Sequence, residues 1–236
     1  MGSPDAIQKK HASTPHYVGH RDRVRQKFLT RLGEEFAEYE LLELLLFSAT
    51  PRGDTKPLAK TLLSVFGNLK GVLEAQPMDL QAIPGIGTVG LSLIKVIQTI
   101  MARTLHTDMI EKPLLDGWRQ VVAYCSVKMS HLQKEQLRIL FLDSKNQLIQ
   151  DDVQQEGTVD QAPLYIREII QRALNLGASG LIVVHNHPSG DPTPSQADIM
   201  ITHKLNAATE LLNIRVLDHL IIGKGRHVSL KAQGLF

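Results

Sequence analysis

A chain of 236 residues, 43% hydrophobic and 21% charged, can bury a full core, and ~100 to 200 residues per domain leaves room for one large unit or two smaller ones. A net charge of +2 does not by itself announce a nucleic-acid partner, and a single cysteine, Cys125, excludes an internal disulfide. The opening segment MGSPDAIQKKHASTPHY lacks the apolar stretch of a secretory signal, and no uncharged apolar run approaches the ~18 to 20 residues that span a bilayer, so a cytoplasmic location with no membrane partner is expected.

Residues 1–17 are polar, carry two prolines and show no periodicity, which predicts a disordered tail. From about His20 the pattern is helical, and an all-helical domain is expected over residues 18–105. Residues 1–107 hold 13 of the 26 Lys and Arg against 10 of the 24 acids, so the front half is mildly basic. Arg21, Arg23, Arg25, Lys27 and Arg31 cluster around one acid, Asp22; such a run can track phosphates or form a solvated helix face. The leucines of EYELLELLLFSAT predict a buried helix broken by Pro51, Arg52, Gly53 and Asp54, and a further helix is expected over Lys56 to Phe66, closed by Gly67 and Asn68.

In LQAIPGIGTVGLSLIKVIQTIMAR an apolar entry leads into Pro84-Gly85-Ile86-Gly87 and then a long apolar-periodic helix. Gly85 and Gly87 let backbone N–H groups point outward at a helix N-terminus, as in a helix-hairpin-helix that grips nucleic-acid backbone without reading sequence. The same turn also serves as a packing hairpin that touches no ligand. The cation usual close behind the turn is missing until Lys95.

Residues 106–113 read as a mixed-charge linker, and 114–236 as a second domain. LRILFL, a turn at Asp143-Ser144-Lys145-Asn146 and QLIQDDVQQEGTV predict a β-hairpin. LYIREIIQRALNLGAS has helical spacing with a glycine stop, GLIVVHNHP is a buried strand, PTPSQADIMITHKLNAATELLNI is a long helix, and RVLDHLIIGKG and RHVSL supply the last strands. Strand pairs interleaved with two helices predict an α/β (α+β) domain built on one mixed sheet.

His185 and His187, one residue apart at the end of the apolar strand, project from the same face and can reach one point. Pro188-Ser189-Gly190-Asp191-Pro192 turns the chain, and Asp198 falls in the first turn of the next helix, able to face back to the strand end. Two imidazoles and a carboxylate make a three-ligand shell with a fourth position open, the arrangement of catalytic zinc. Taken singly, H-x-H is commonly a pair of ordinary histidines, and Ser195-x-x-Asp198 is a helix capping box; together they are specific in residue type, spacing and context.

The segment HNHPSGDPTPSQAD, His185 to Asp198, resembles the JAMM motif of the MPN (JAB) metallohydrolases, and the wider chain resembles the RadC family through HRDRVRQKFL, EYELLELLL, IPGIG, LDSKNQLI, YIREIIQRAL and VLDHLIIG. The resemblance implies a helical, helix-hairpin-helix-like region followed by an MPN/JAB-like (cytidine deaminase-like) domain. It implies one Zn2+ per chain held by His185, His187 and Asp198, with Ser195 donating a hydrogen bond to the oxyanion and an earlier glutamate as general acid/base. Glu135, just before LRILFL, matches that position. Glu156 and Glu168 are the competitors, Glu168 reading as a helix-face partner of Arg172. Asp218 and His219 are expected to support the ligands or to sit at the sheet edge.

Asn186 stands where deubiquitinating JAMM enzymes usually carry serine or threonine, and asparagine there resembles the RadC branch, so the substrate does not transfer from the deubiquitinases. The implied function is zinc-dependent hydrolysis of an amide or isopeptide bond in a peptide or protein substrate. The alternative is a DNA-binding accessory protein of repair or recombination, contacting DNA non-specifically through Arg21, Arg23, Arg25, Gly85 and Gly87.

Overall fold

The computed structural model describes residues 19–111, 117–157 and 166–236. The expected disordered tail over residues 1–17, the end of the expected linker and the segment 158–165 lie outside them. The described chain forms two compact units, one ending at Val72 and resuming over Pro77–Leu93, the other made of Leu73–Gln76 and Ile94–Phe236.

The first unit contains α1 (His20–Arg31), α2 (Glu38–Leu46), α3 (Lys56–Phe66), most of α4 (Leu69–Glu74), α5 (Pro77–Gln81) and the start of α6 (Thr88–Glu111). α2 buries Leu42 and Leu46 and packs against α3, where Ala59 and Leu62 are buried in turn. α3 carries a proline in its first turn and stops at Gly67, φ 87°, a conformation glycine adopts without strain. Glu43 is the exception on the apolar face of α2, and His20 Nε2 meets its carboxylate at 2.8 Å.

α6 departs from the expected boundaries. It continues through the residues read as a linker as far as Glu111, and from Ile94 onward it belongs to the second unit. The reason is burial: Met109 lies in the second unit's core and Leu105 packs against it, which gives a polar-looking segment a place to be helical. Thr88–Met109 also has the length and mean hydropathy, 1.2, of a membrane-crossing helix, although Lys95 and Arg103 lie within it. Lys95 Nζ donates to the Leu73 carbonyl at 3.1 Å, to the Ala75 carbonyl and to Gln98 Oε1, tying α6 to the 73–76 segment.

The second unit adds α7 (Trp118–Met129), β1 (Gln136–Leu142), β2 (Leu148–Glu156), α8 (Ile166–Leu176), β3 (Gly180–Asn186), α9 (Gln196–Glu210), β4 (Arg215–Ile222) and β5 (His227–Ser229). The strands form one mixed sheet in the order β2-β1-β3-β4-β5, with β3 and β4 parallel and the other neighbours antiparallel. Alternation along the strands gives the sheet two apolar faces. Leu140, Leu142, Ile182, Val184 and Leu220 meet α7, a helix absent from the sequence reading, through Val121, Cys125 and Met129. Leu137, Ile139, Phe141, Leu181 and Val183 meet Ile169 and Ala173 of α8 and Leu205 of α9. β3 is buried at all seven positions, which places its end at the centre of the unit.

A polar triad lies on the α7 side. Asp151 pairs with Arg138 at 2.5 Å and accepts from the Tyr124 hydroxyl, so the buried charges are matched. Burial, reinforced by Asp151, pushes the Cys125 thiol well above its ordinary pKa.

Candidate metal centre

β3 brings the first histidine to the centre of the unit. His185 follows Leu181 and Val183 on the α9 side of the sheet and is 1% exposed. His187 lies just beyond the strand, still paired by its backbone N–H to the Ile222 carbonyl at 2.9 Å, so the i, i+2 geometry persists for one more step. Gly190 N–H then bonds the His187 carbonyl and closes the turn. The chain enters α9 at Ser195, whose Oγ accepts from Asp198 N–H at 3.1 Å while Asp198 Oδ2 accepts from Ser195 N–H at 2.8 Å. This reciprocal cap fixes the first turn of α9 and holds the Asp198 carboxylate toward the strand end.

The result is a convergence of three side chains. His185 Nε2 lies 2.9 Å from His187 Nε2 and 3.3 Å from Asp198 Oδ1, and His187 Nε2 lies 3.7 Å from Asp198 Oδ2. One ligand atom from each falls within 4.8 Å of the others, a group that can hold a metal ion. Each imidazole is engaged on its far side: His187 Nδ1 reaches the Asp191 carbonyl at 2.7 Å and His185 Nδ1 reaches His219 Nε2 at 2.8 Å. With those contacts made through N–H groups, both Nε2 lone pairs face inward, beside a carboxylate, and a cation satisfies all three.

The electrostatics suit a cation. Burial holds His185 neutral, with a pKa pushed down to about 4 against the attraction of Asp198. His187, half-buried, is shifted upward by its hydrogen bond to Asp198, with a smaller contribution from Glu135. Burial disfavours the charge on Asp198, but the hydrogen bond with His187 and the bonds from the Ser195 hydroxyl and N–H hold its carboxyl well below the usual range.

A cleft of about 470 Å³ opens on the cluster, and Glu135, Gly157, Ser189 and Ser195 share its lining. Glu135 immediately precedes β1, and its carbonyl accepts from Gly157 N–H at 2.8 Å. Asn186 points to the other side of the sheet, where its Oδ1 accepts from Gln136 N–H at 2.9 Å and its Nδ2 donates to the Lys134 carbonyl at 3.1 Å. On the far side of the loop, a Cβ at Gly223 would stand 2.4 Å from the Gly190 carbonyl oxygen and 3.0 Å from Pro192 Cδ.

The remaining candidates fall elsewhere. Glu156 is exposed on β2, and Glu168 is exposed on α8. Arg172, expected to pair with Glu168, instead reaches Asp152 at 2.7 Å across to β2. Ser195 lines the cleft, but its hydroxyl lies 2.7 Å from Asp198 Oδ2 and donates there, so serving an oxyanion requires it to turn. Asp218 ties the end of the sheet together, accepting from His219 N–H and from the Ser229 hydroxyl.

In the first unit, Arg21 is directed inward. Its guanidinium donates to the carbonyls of Phe47, Thr50, Pro51 and Gly53 at 2.5 to 3.2 Å, closing the turn after α2. Arg25 pairs with Asp22 at 2.9 Å and lies over the Phe47 ring. Gly85, φ 95°, and Gly87 form the turn before α6, as the sequence reading expects.

Residues 115–235 match the RadC-like JAB domain family, and the chain is 49% identical over 212 residues to the UPF0758 protein of Rhodobacter capsulatus, covering 90% of this chain and 99% of that one. The chain belongs to the RadC-like JAB family.

Within this RadC-like JAB domain the sequence reading missed Thr202 and treated His219 only in general terms. The two meet at 2.6 Å, both fully buried beside the cluster of His185, His187 and Asp198. A polar pair facing the apolar side of α9 and β4 is the signal available in the sequence, but the register that brings them together is not.

Proposed function

We propose that this protein is a zinc-dependent hydrolase that cleaves an amide or isopeptide bond in a peptide or protein. The observation that carries the reading is the convergence of His185, His187 and Asp198 in a cleft that also contains Glu135. His185, His187 and Asp198 would hold the ion, a set of three protein ligands being the number that catalytic zinc takes. Zinc bound there would supply Lewis acidity, the chemistry that lowers the pKa of a water toward about 7. The Glu135 carboxylate takes the proton from the attacking water and returns it to the nitrogen of the leaving amine. The Ser195 hydroxyl, turned from Asp198, donates to the oxygen on which negative charge develops.

Metal analysis and an unbiased peptide-cleavage screen test this together. The purified chain is expected to hold about one zinc, as a single three-ligand shell implies, and His185→Ala to lose it. Glu135→Gln should keep the metal and lose turnover. Near-stoichiometric zinc in His185→Ala refutes the ligand assignment, and undiminished cleavage by Glu135→Gln moves the base elsewhere.

A further inference from the structure

We propose that Thr202 and His219 are positioning residues that determine which nitrogen of His185 carries the proton, and so present a bare Nε2 to the metal. The inference rests on reading His185, His187 and Asp198 as a metal site.

Three groups form a chain of contacts behind His185: the His219 ring, the Thr202 hydroxyl and the Asp198 backbone carbonyl. The Thr202 hydroxyl contacts the Asp198 backbone carbonyl at 2.6 Å and His219 Nδ1 at 2.6 Å; His219 Nε2 contacts His185 Nδ1 at 2.8 Å. Thr202 and His185 are 1% exposed and His219 is 0% exposed, so each contact is made within the protein interior. A neutral imidazole has one N–H and one bare nitrogen, and a hydroxyl has one proton to give.

The carbonyl decides the direction. It can only accept, so the Thr202 proton goes to Asp198, and the hydroxyl oxygen then accepts from His219 Nδ1–H. His219 Nε2 is left bare and accepts from His185 Nδ1–H. His185 Nε2, 3.3 Å from Asp198 Oδ1, is thereby left with its lone pair toward the cluster. The opposite direction, with Thr202 donating to His219, places a proton on His185 Nε2 and blocks it as a ligand. Asp198 thus acts twice: its carboxylate belongs to the cluster, and its backbone oxygen, four residues before Thr202 on α9, sets the proton order. Such outer hydrogen bonds fix ligand tautomers in metalloproteins generally, and their loss weakens metal binding about 10- to 100-fold.

The test uses the full chain. Zn2+ is titrated against a chromophoric chelator into wild type, Thr202→Val, Thr202→Ser and His185→Ala, and long-range 1H–15N correlation of the histidine rings reads the tautomers in the zinc-free proteins. Wild type should show His219 protonated at Nδ1 and His185 at Nδ1. Thr202→Val, which keeps the shape and removes the hydroxyl, should bind zinc about 10- to 100-fold more weakly. Thr202→Ser should restore the wild-type affinity, which a mere packing role for the threonine methyl does not predict. If Thr202→Val fails to fold, the wild-type spectrum still decides, because a His219 ring protonated at Nε2 overturns the relay. Wild-type affinity in Thr202→Val, with zinc lost in His185→Ala, overturns the relay alone. Equal zinc binding by wild type and His185→Ala overturns the metal-site reading and the relay with it.

Discussion

Asn186 grips the backbone on both sides of Glu135. Its amide oxygen holds the Gln136 N–H at 2.9 Å and its NH2 holds the Lys134 carbonyl at 3.1 Å, from a position between the two histidines that face the opposite side of the sheet. One strand end therefore presents the His185–His187–Asp198 cluster on one side and anchors the segment of the candidate base from the other. Asn186→Ala leaves two backbone groups unpartnered and should cost about 1 to 3 kcal/mol of stability. It should retain zinc while turnover falls, because the cluster is intact and Glu135 is loosened. Denaturant unfolding, metal content and peptide cleavage on one preparation check this; full turnover would show that Glu135 needs no such anchor.

Zinc binding should displace one proton over a defined pH window. His187 is raised by its bond to Asp198, so in the metal-free protein its imidazolium contributes stability that is present at low pH and lost as pH rises through the raised pKa. Zinc requires the bare nitrogen. His185, with a pKa of about 4, gives up no proton at neutral pH, and Asp198, held low, is already ionised. Between the His185 and His187 values, affinity should therefore rise about tenfold per pH unit, the slope of one displaced proton, and above the His187 value it should level off. Calorimetric titration in buffers of differing ionisation enthalpy counts the protons; two or none in that window would contradict the arrangement.

Arg21 should behave as a structural residue. Four carbonyls fill the fork of its guanidinium, and a lysine ammonium has neither the planar shape nor enough donors to replace it. Arg21→Lys should destabilise the protein by about 1 to 3 kcal/mol in thermal or denaturant unfolding. If the chain binds DNA, the dependence of log affinity on log salt should keep its slope in that variant and in Arg21→Ala, because the group neutralises no phosphate. A slope reduced by about one in Arg21→Ala would place Arg21 on the nucleic acid after all.

The parts of the fold that carry strong local patterns were legible in the sequence. β3 announces itself as an apolar run ending in HNHP, the β1–β2 hairpin by its Asp143–Asn146 turn, and α9 by the Ser195 cap. α7 was not read, although Val121, Tyr124, Cys125 and Met129 recur at helical spacing, because Gly117 before it gives no side-chain capping signal. The end of α6 reads as a linker in the sequence because, among the described residues, Leu105 and Met109 mark its buried side, and their burial is a tertiary event.

The three clustered residues were legible because strand alternation and the capping box fix their directions locally. The pair behind them was not. His219 reaches His185 through the parallel β3–β4 pairing, which contains an irregularity between Leu181 and Ile182, and no local spacing encodes that register. The pairing of Arg172 with Asp152 in place of Glu168 has the same origin, a cross-element approach competing with a neighbour one turn away.

Gly223 carries no chemistry of its own, yet the carbonyl oxygen of Gly190 and the ring of Pro192 occupy the space that any side chain there would need. The path from the second imidazole to the capping serine is thus braced from behind by the absence of a methyl group. A descendant sequence that keeps both histidines and the aspartate but enlarges this position must re-route the loop, and restoring those three side chains alone would not recover its course.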